Sequence, residues 1–140
     1  MSTLSVDFIT PKNSSSVTIR DATVVPAVSS LAFASTTTGC SVTITCQSVG
    51  KLVEVQVPAM SFTSTGVNVT APAITGLPTP ESAKYFTIIA VNNGTVAAFN
   101  SIGKIDTDKT IIFYGNKNLT AFTNLTAYTI SPCIIQYFST

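Results

Sequence analysis

Ala127-Tyr128-Thr129-Ile130-Ser131-Pro132-Cys133-Ile134-Ile135-Gln136-Tyr137-Phe138 is the last element the sequence leads one to expect. β-Branched and aromatic residues crowd it, and such side chains fit a pleated, half-buried surface. Alternation along a strand puts Cys133, Ile135 and Tyr137 on one face. Ile134 and Phe138 on the other face are apolar too, so both faces are expected to meet protein. A final strand covered on both sides is expected to pair with an early strand and close the fold. Pro132 has no N–H to give to a ladder, so it marks a bulge, an edge position or the strand's first residue.

Working back from this stretch, strand signals are dense from Gly39 onward. Val42, Ile44 and Cys46 alternate with Ser and Thr, and Gln47–Gly50 makes a turn. Val53, Val55 and Val57 share a face of Leu52–Val57, with Glu54 and Gln56 on the other, until Pro58 ends the run. Val67 and Val69 alternate with Asn68 and Thr70. Ala71 to Ser82 is a proline-rich connection. Lys84–Val91 is strongly apolar, and Asn92-Asn93-Gly94 is a hairpin signal. Thr95–Phe99, Ile102–Ile105 and Thr110–Tyr114 follow, with Asp106–Lys109 turning between the last two. Gly115–Thr126 is a polar loop. No segment has the 3.6-residue periodicity and caps of a helix. Short strands at this spacing predict an all-β fold, an eight-stranded antiparallel sandwich or barrel within residues 39–140. Eight strands run up and down would place Gln47–Gly50, Ala71–Ala83, a turn near Asn100 and Gly115–Thr126 at the far end. Asn92–Gly94 and Asp106–Lys109 would then lie at the base.

Residues 1–38 read differently. Leu4, Val6, Phe8 and Ile9 belong to a short alternating run that Thr10-Pro11 breaks, and Val17-Thr18-Ile19 is another. Pro26, then Ser29 to Gly39, reads as a small-residue connector. Little here would bury a core, so 1–38 is expected to be an anchor or shaft segment that orders against other chains, ahead of a head domain at 39–140. The alternative is a flexible tail.

Composition narrows the partners. Of 140 residues only 9% are charged, against about a quarter in typical globular domains. The seven basic residues are scattered and the net charge is +1, so there is no footprint for nucleic acid or an anionic membrane. No apolar run reaches the length of a membrane span. A largely apolar chain with few charges points to burial between protomers. The N-terminus lacks the basic and apolar regions of a signal peptide. Synthesis and assembly in a cytosol are therefore expected, and the Asn-x-Ser/Thr triplets at Asn13, Asn68, Asn93, Asn118 and Asn124 would not meet the secretory enzyme.

Catalytic and metal chemistry finds little support. The chain has no His, which removes Ser-His-Asp and Cys-His arrangements and His-ligated metal. No Gly-rich phosphate loop is present. Asp106 and Asp108 read as turn residues bonding their own backbone rather than as a Ca²⁺ site or a glycosidase pair. Glu54 and Glu81 read as lone solvated carboxylates. Cys40 and Cys46 are about 20 Å apart at roughly 3.3 Å per residue and cannot bridge. Free thiols are expected, with a Cys46–Cys133 cross-strand bridge as the alternative. No cofactor and no enzymatic activity are expected.

Several spaced motifs are shared with a known family. Val49-Gly50-Lys51-Leu52-Val53-Glu54-Val55-Gln56-Val57-Pro58 resembles a recurring piece of viral and phage fibre heads. So do Leu77-Pro78, Asn93-Gly94, Gly103-Lys104-Ile105 with Thr110-Ile111-Ile112-Phe113, and the close from Tyr128 to Tyr137. Those heads are trimeric jelly rolls, similar in architecture to tumour-necrosis-factor-like domains. Leu4–Pro11 with Val17–Ile19 looks like the N-terminal segment of short phage and large-virus fibre proteins. Related heads often carry Arg after the Leu-Pro, whereas this chain has Thr79-Pro80-Glu81, so the resemblance implies no anionic contact there. The resemblance pairs the closing stretch with Cys40–Gln47, which would set Cys133 beside Cys46.

What the resemblance implies is a viral structural protein, a small fibre or spike head on the virion surface, assembled in the host cytoplasm and mediating host attachment. The expected partners are two further copies in a homotrimer, capsid or tail proteins through Leu4, Val6, Phe8 and Ile9, and a host-surface glycan or protein. Loops at one end of a rigid β scaffold carry binding residues. The candidate receptor loop therefore holds Asn116, Lys117, Asn118, Phe122, Thr123 and Asn124, whose amides and hydroxyls suit sugar hydroxyls. Phe122 would be a stacking platform or part of a trimer axis. The strand aromatics Tyr85, Phe86, Phe99, Phe113 and Tyr137 belong to the core or a protomer interface. The rival roles are a capsid cement or decoration protein without receptor binding, and a secreted lectin or cytokine-like ligand.

Overall fold

Residues 27–140 are described in a computed structural model of the chain. The expected anchor residues Leu4, Val6, Phe8 and Ile9 lie outside them. Ten strands follow in order: β1 Ala27–Ala34, β2 Ser41–Val49, β3 Leu52–Val57, β4 Met60–Thr63, β5 Val69–Ala71, β6 Lys84–Asn92, β7 Ala97–Ile105, β8 Ile111–Phe113, β9 Ala127–Ile130 and β10 Cys133–Phe138. They form two antiparallel sheets, ordered β1-β2-β3-β10 and β4-β9-β6-β7-β8-β5. The architecture is an all-β sandwich consistent with the jelly-roll class.

Alternation builds the core. Val53, Val55 and Val57 of β3, Ile44 and Cys46 of β2, and Ile135 and Tyr137 of β10 turn inward and are buried. Ile88, Ala90, Ile105, Ile111, Phe113 and Ile130 are buried from the other sheet. Phe33 of β1 reaches across to Phe113, ring centroids 5.7 Å apart, and Phe86 meets Phe113 edge-on at 5.9 Å. Phe86 stands opposite Gly103 in the β6–β7 ladder. A Cβ at Gly103 would lie 2.2 Å from the Phe86 ring, so glycine is what lets the ring fold down across its neighbouring strand.

Several expectations are corrected. Ser29 to Gly39 is not a connector throughout: β1 pairs with β2 along its whole length, Ala27↔Ser48 to Ala34↔Ser41. The signal was hidden because β1 is made of small residues, with Phe33 its one large fully buried side chain. The strand count is ten among the described residues rather than eight. Thr95–Phe99 and Ile102–Ile105 merge into β7, so there is no turn at Asn100, and Met60–Thr63 adds a strand. The closing stretch is two strands in different sheets. β9 ends at Ile130, and Ser131-Pro132 carries the chain across to β10, so Pro132 marks a corner rather than a bulge.

β10 pairs with β3, Cys133↔Val57 to Phe138↔Leu52, and not with Cys40–Gln47. Only one face of β10 is covered: Ile134 and Phe138 are exposed. Because β3 lies between β2 and β10, Cys46 and Cys133 are not neighbours. The Cys46–Cys133 bridge is absent, and all three cysteines are free. Burial pushes the Cys133 thiol up to about 11, which keeps it protonated and unreactive at neutral pH.

The two ends of the sandwich also sort differently. Ser139 N–H donates to Lys51 O at 2.8 Å, Thr140 N–H to Thr79 O at 3.0 Å, and Ile74 N–H to Lys109 O at 3.1 Å. These bonds gather the β2–β3 turn, the proline-rich connection and the Asp106–Lys109 turn at one end. Ala27 opposes Ser48 there, so β1 begins at this end. Gly115–Thr126 lies at the other, but with the Asn93 turn beside it rather than the Gln47–Gly50 turn, since Asn93 N–H donates to Ala127 O at 2.9 Å. Parity mislabels several loops because it omits β1 and β4 and breaks β7 in two.

Candidate functional site

The end opposite the start of β1 is built from the loops around Ser35–Cys40, Ser64–Asn68, Asn93–Val96 and Gly115–Thr126. Serine, threonine and asparagine tie them together. Thr36 N–H donates to Thr70 O at 2.9 Å, and the Thr65 hydroxyl to Thr37 O at 2.9 Å. Ser64 exchanges backbone bonds with Thr126 and Leu125, each 2.9 Å, and its buried hydroxyl donates to Phe122 O at 3.3 Å. Asn68 Oδ1 is buried without a partner among the described residues, a polar position suited to a bound water.

Within Gly115–Thr126 the candidate residues divide. Asn116 is scaffold. Its Oδ1 accepts from Asn118 N–H at 2.8 Å and Thr120 N–H at 3.3 Å, and its amide meets the Thr120 hydroxyl. This Asx arrangement closes the turn. Gly115 is needed where the loop returns, because a Cβ there would sit 2.4 Å from Ala121 O. Asn124 Oδ1 accepts from Leu125 N–H at 3.0 Å, and its side chain packs over Gly66. Lys117, Asn118, Thr123 and Asn124 are exposed and uncommitted to the core.

Phe122 is not a platform for a sugar. It is 2% exposed. Its ring packs at 5.1 Å from Phe62 and 4.9 Å from Tyr128, forming an aromatic cluster with Phe99 under the loop. An apolar ring in a polar loop is more stable beneath it than on it. The strand aromatics Phe86, Phe99, Phe113 and Tyr137 pack inward as expected, while Tyr85 is 56% exposed.

A different set escapes sequence reasoning. Val96, Leu119 and Leu125 are exposed, Val96 and Leu125 by more than four-fifths (81% and 84%). All three have left-handed backbone, φ 53°, 64° and 58°. A β-branched residue in that region is a true outlier, and strained, solvent-facing apolar side chains gathered at one end are an unusual expense for a fold to carry. Only the loop positions were legible in advance; backbone sign was not. Replacing Val96 with Gly or Asn is expected to stabilise the protein by about 1 kcal/mol, because the strain goes and no burial is lost. A rightward shift of the urea midpoint at unchanged slope checks it.

Among the described residues no three His, Cys, Asp or Glu side chains cluster as a metal site. Asp106 and Asp108 behave as turn residues, accepting from Thr107 N–H and Thr110 N–H at 2.9 Å each. The Lys104 ammonium pairs with Asp106 and holds its carboxyl below the usual carboxylate range. Glu54 is not simply solvated. On the outer face of the four-stranded sheet its carboxylate accepts from Gln47, Gln56 and Gln136 Nε2 at 3.0, 3.2 and 3.1 Å. The Gln136 bond, then that of Gln56, draws its pKa down.

No protein-family model matches the chain, and no curated protein matches it. Among solved structures the chain is similar to a reovirus attachment protein, sigma1, determined in complex with alpha-2,3-sialyllactose. The identity is 17% and the TM-score 0.49, over 80% of this chain. The chain spans 66% of the length of that protein's chain.

Proposed function

We propose that this chain is a viral structural protein, a small trimeric attachment head on the virion surface that binds and does not catalyse. Residues ahead of the sandwich, Leu4, Val6, Phe8 and Ile9 among them, anchor it to capsid or tail proteins, and the opposite end faces a host-surface glycan or protein. The carrying observation is the polarity of the fold. β1 begins at the end with Lys51 and Ser139, while Gly115–Thr126 lies at the other. Lys117, Asn118, Thr123 and Asn124 supply hydrogen-bonding groups there, and Val96, Leu119 and Leu125 supply apolar contact. Exposed Val28, Leu52 and Phe138 on one outer sheet face, and Tyr85 and Ile89 on the other, are apolar surface available for trimer contacts. Three identical weak sites would gain affinity through multivalency.

The test is binding of the intact protein to host cells and to an array of glycans, with Asn118→Ala/Thr123→Ala/Leu125→Asn as the variant. These side chains are exposed, so folding is expected to persist. A loss of at least tenfold in binding supports the head reading. Binding that is absent, or unchanged by the variant, favours a decoration protein whose apolar outer faces lie against the particle. Light scattering at micromolar concentration should return three times the monomer mass.

A further inference from the structure

A groove of about 660 Å³ opens on the outer face of the four-stranded sheet, lined by Thr43, Thr45, Gln56, Pro58, Pro132 and Ile134 among others. It arises from a missing length of strand. β2 is paired with β1 from Ser41 to Ser48. On its other side β3 accompanies it only from Thr45↔Gln56 to Val49↔Leu52. Carried further, the same register would set Val57 against Ile44 and Pro58 against Thr43. Instead the chain leaves at Pro58 for β4 in the other sheet, and Ser131-Pro132 makes the reverse crossing alongside it. Neither proline has an N–H to offer. Among the described residues, Ser41–Ile44 is left with no strand on this side. Neighbouring strands sit about 4.8 Å apart, and β10 is two places away from β2, so the vacancy is one strand wide.

Along that edge alternate residues aim both N–H and C=O into the groove. The outward side chains are the Thr43 and Thr45 hydroxyls and the Gln56 amide, whose nitrogen is already given to Glu54. Pro58, Pro132 and Ile134, the last 58% exposed, make an apolar rim. Among the described residues no charged side chain lines the groove, and Glu54, which the lining Gln56 binds, is taken up by three glutamines. No aromatic ring lines it either, so a sugar has nothing to stack on. What remains is a backbone edge with an uncharged rim.

We propose that this groove binds an extended, uncharged polypeptide segment of a partner chain, which adds as a short strand against Ser41–Ile44. Main-chain hydrogen bonds supply the affinity and the Pro58/Pro132/Ile134 rim selects apolar side chains, the β-augmentation mode of recognition. The four residues Ser41–Ile44 span about 13 Å at 3.3 Å per residue, room for a strand of four. The site adjoins the Ser35–Cys40 turn but uses no residue of Gly115–Thr126.

The test uses the full ¹⁵N-labelled chain with a blocked hexapeptide alternating threonine and valine, and the same peptide with lysine or glutamate at the threonine positions. At millimolar uncharged peptide, at least two amides of Ser41–Ile44 should exchange tenfold more slowly with deuterium. Thr43→Arg and Ile134→Arg, both outward and exposed, should weaken binding at least tenfold with unchanged thermal midpoint. The proposal is overturned if those amides are not protected, if the charged peptides bind as well, or if protection appears on the outer edges of β1 or β10 instead. Shifts at Thr43 and Thr45 with a neutral oligosaccharide but not with peptide would make the groove a sugar site and equally overturn it.

Discussion

Removing residues 1–38 is expected to unfold the protein, whereas removing residues 1–26 leaves a folded sandwich. The first truncation takes away β1 and with it Phe33, which is fully buried and packs on Phe113. Losing a buried Phe side chain alone costs about 3–5 kcal/mol, out of a total stability of about 5–15 kcal/mol. The same truncation strips the pairing from Ser41–Ser48 and the contacts of Thr36 and Thr37 with Thr70 and Asn68. β2 would become a raw edge open to aggregation. The second truncation removes none of the described ladder pairs and none of the described core, which runs from Phe33 to Tyr137. Circular dichroism and urea unfolding of the two truncations decide between them. A cooperative transition in the shorter chain would mean that β1 is dispensable. Loss of particle attachment by the 27–140 chain, with folding retained, would support an anchoring role for the N-terminal segment.

Phe122→Ala is expected to destabilise the protein by about 3–5 kcal/mol, comparable to losing a core strand residue and far more than a loop substitution normally costs. Phe122 touches Phe62 and Tyr128 and is nearly inaccessible, so truncation leaves a cavity beside two aromatic rings. Ser64 bonds Phe122 O, and Leu125 and Thr126 bond Ser64, so the loop should loosen along with the core. Phe122→Leu, which keeps most of the volume, should recover much of the loss. The discriminating comparison is with Asn118→Ala, which should leave the unfolding midpoint where it was. If Phe122→Ala were instead as stable as the native chain, the ring would not be core, and the stacking role would return.

The fold class was legible because alternation is local. Val53, Val55 and Val57, or Ile135 and Tyr137, announce a strand with one buried face from six residues of sequence. The Asn93-Gly94 turn and the backbone-bonding Asp106 and Asp108 were legible for the same reason, since turn chemistry acts within two or three residues. β1 was not, because Ala, Ser and Leu alternate too weakly in size to signal burial, and Phe33 finds its partner Phe113 eighty residues away. Ile134 and Phe138 misled for the opposite reason: apolar side chains on both faces imply cover, yet these two are exposed among the described residues.

The candidate loop follows the same division. Gly115–Thr126 as an exposed polar loop at one end of a rigid scaffold could be read from composition, as could the absence of histidine chemistry. Which of its residues face out could not. Phe122 turns under the loop because Phe62 and Tyr128, on strands β4 and β9, offer it an apolar seat. Asn116 is spent on the turn's own N–H groups. Val96, Leu119 and Leu125 project from left-handed backbone that no pattern of side chains reveals.

By itself, then, the sequence determined an all-β chain with few charges, the positions of most turns, and a polar loop before a strongly apolar close. Only the tertiary structure decided that the close is two strands divided at Pro132 between two sheets, that β10 lies against β3, and that Cys46 and Cys133 stay apart. Alternation and turn chemistry are properties of neighbours along the chain. Sheet order, strand departure at Pro58 and the groove it leaves depend on contacts between residues far apart in sequence, where burial against a distant partner outweighs local preference.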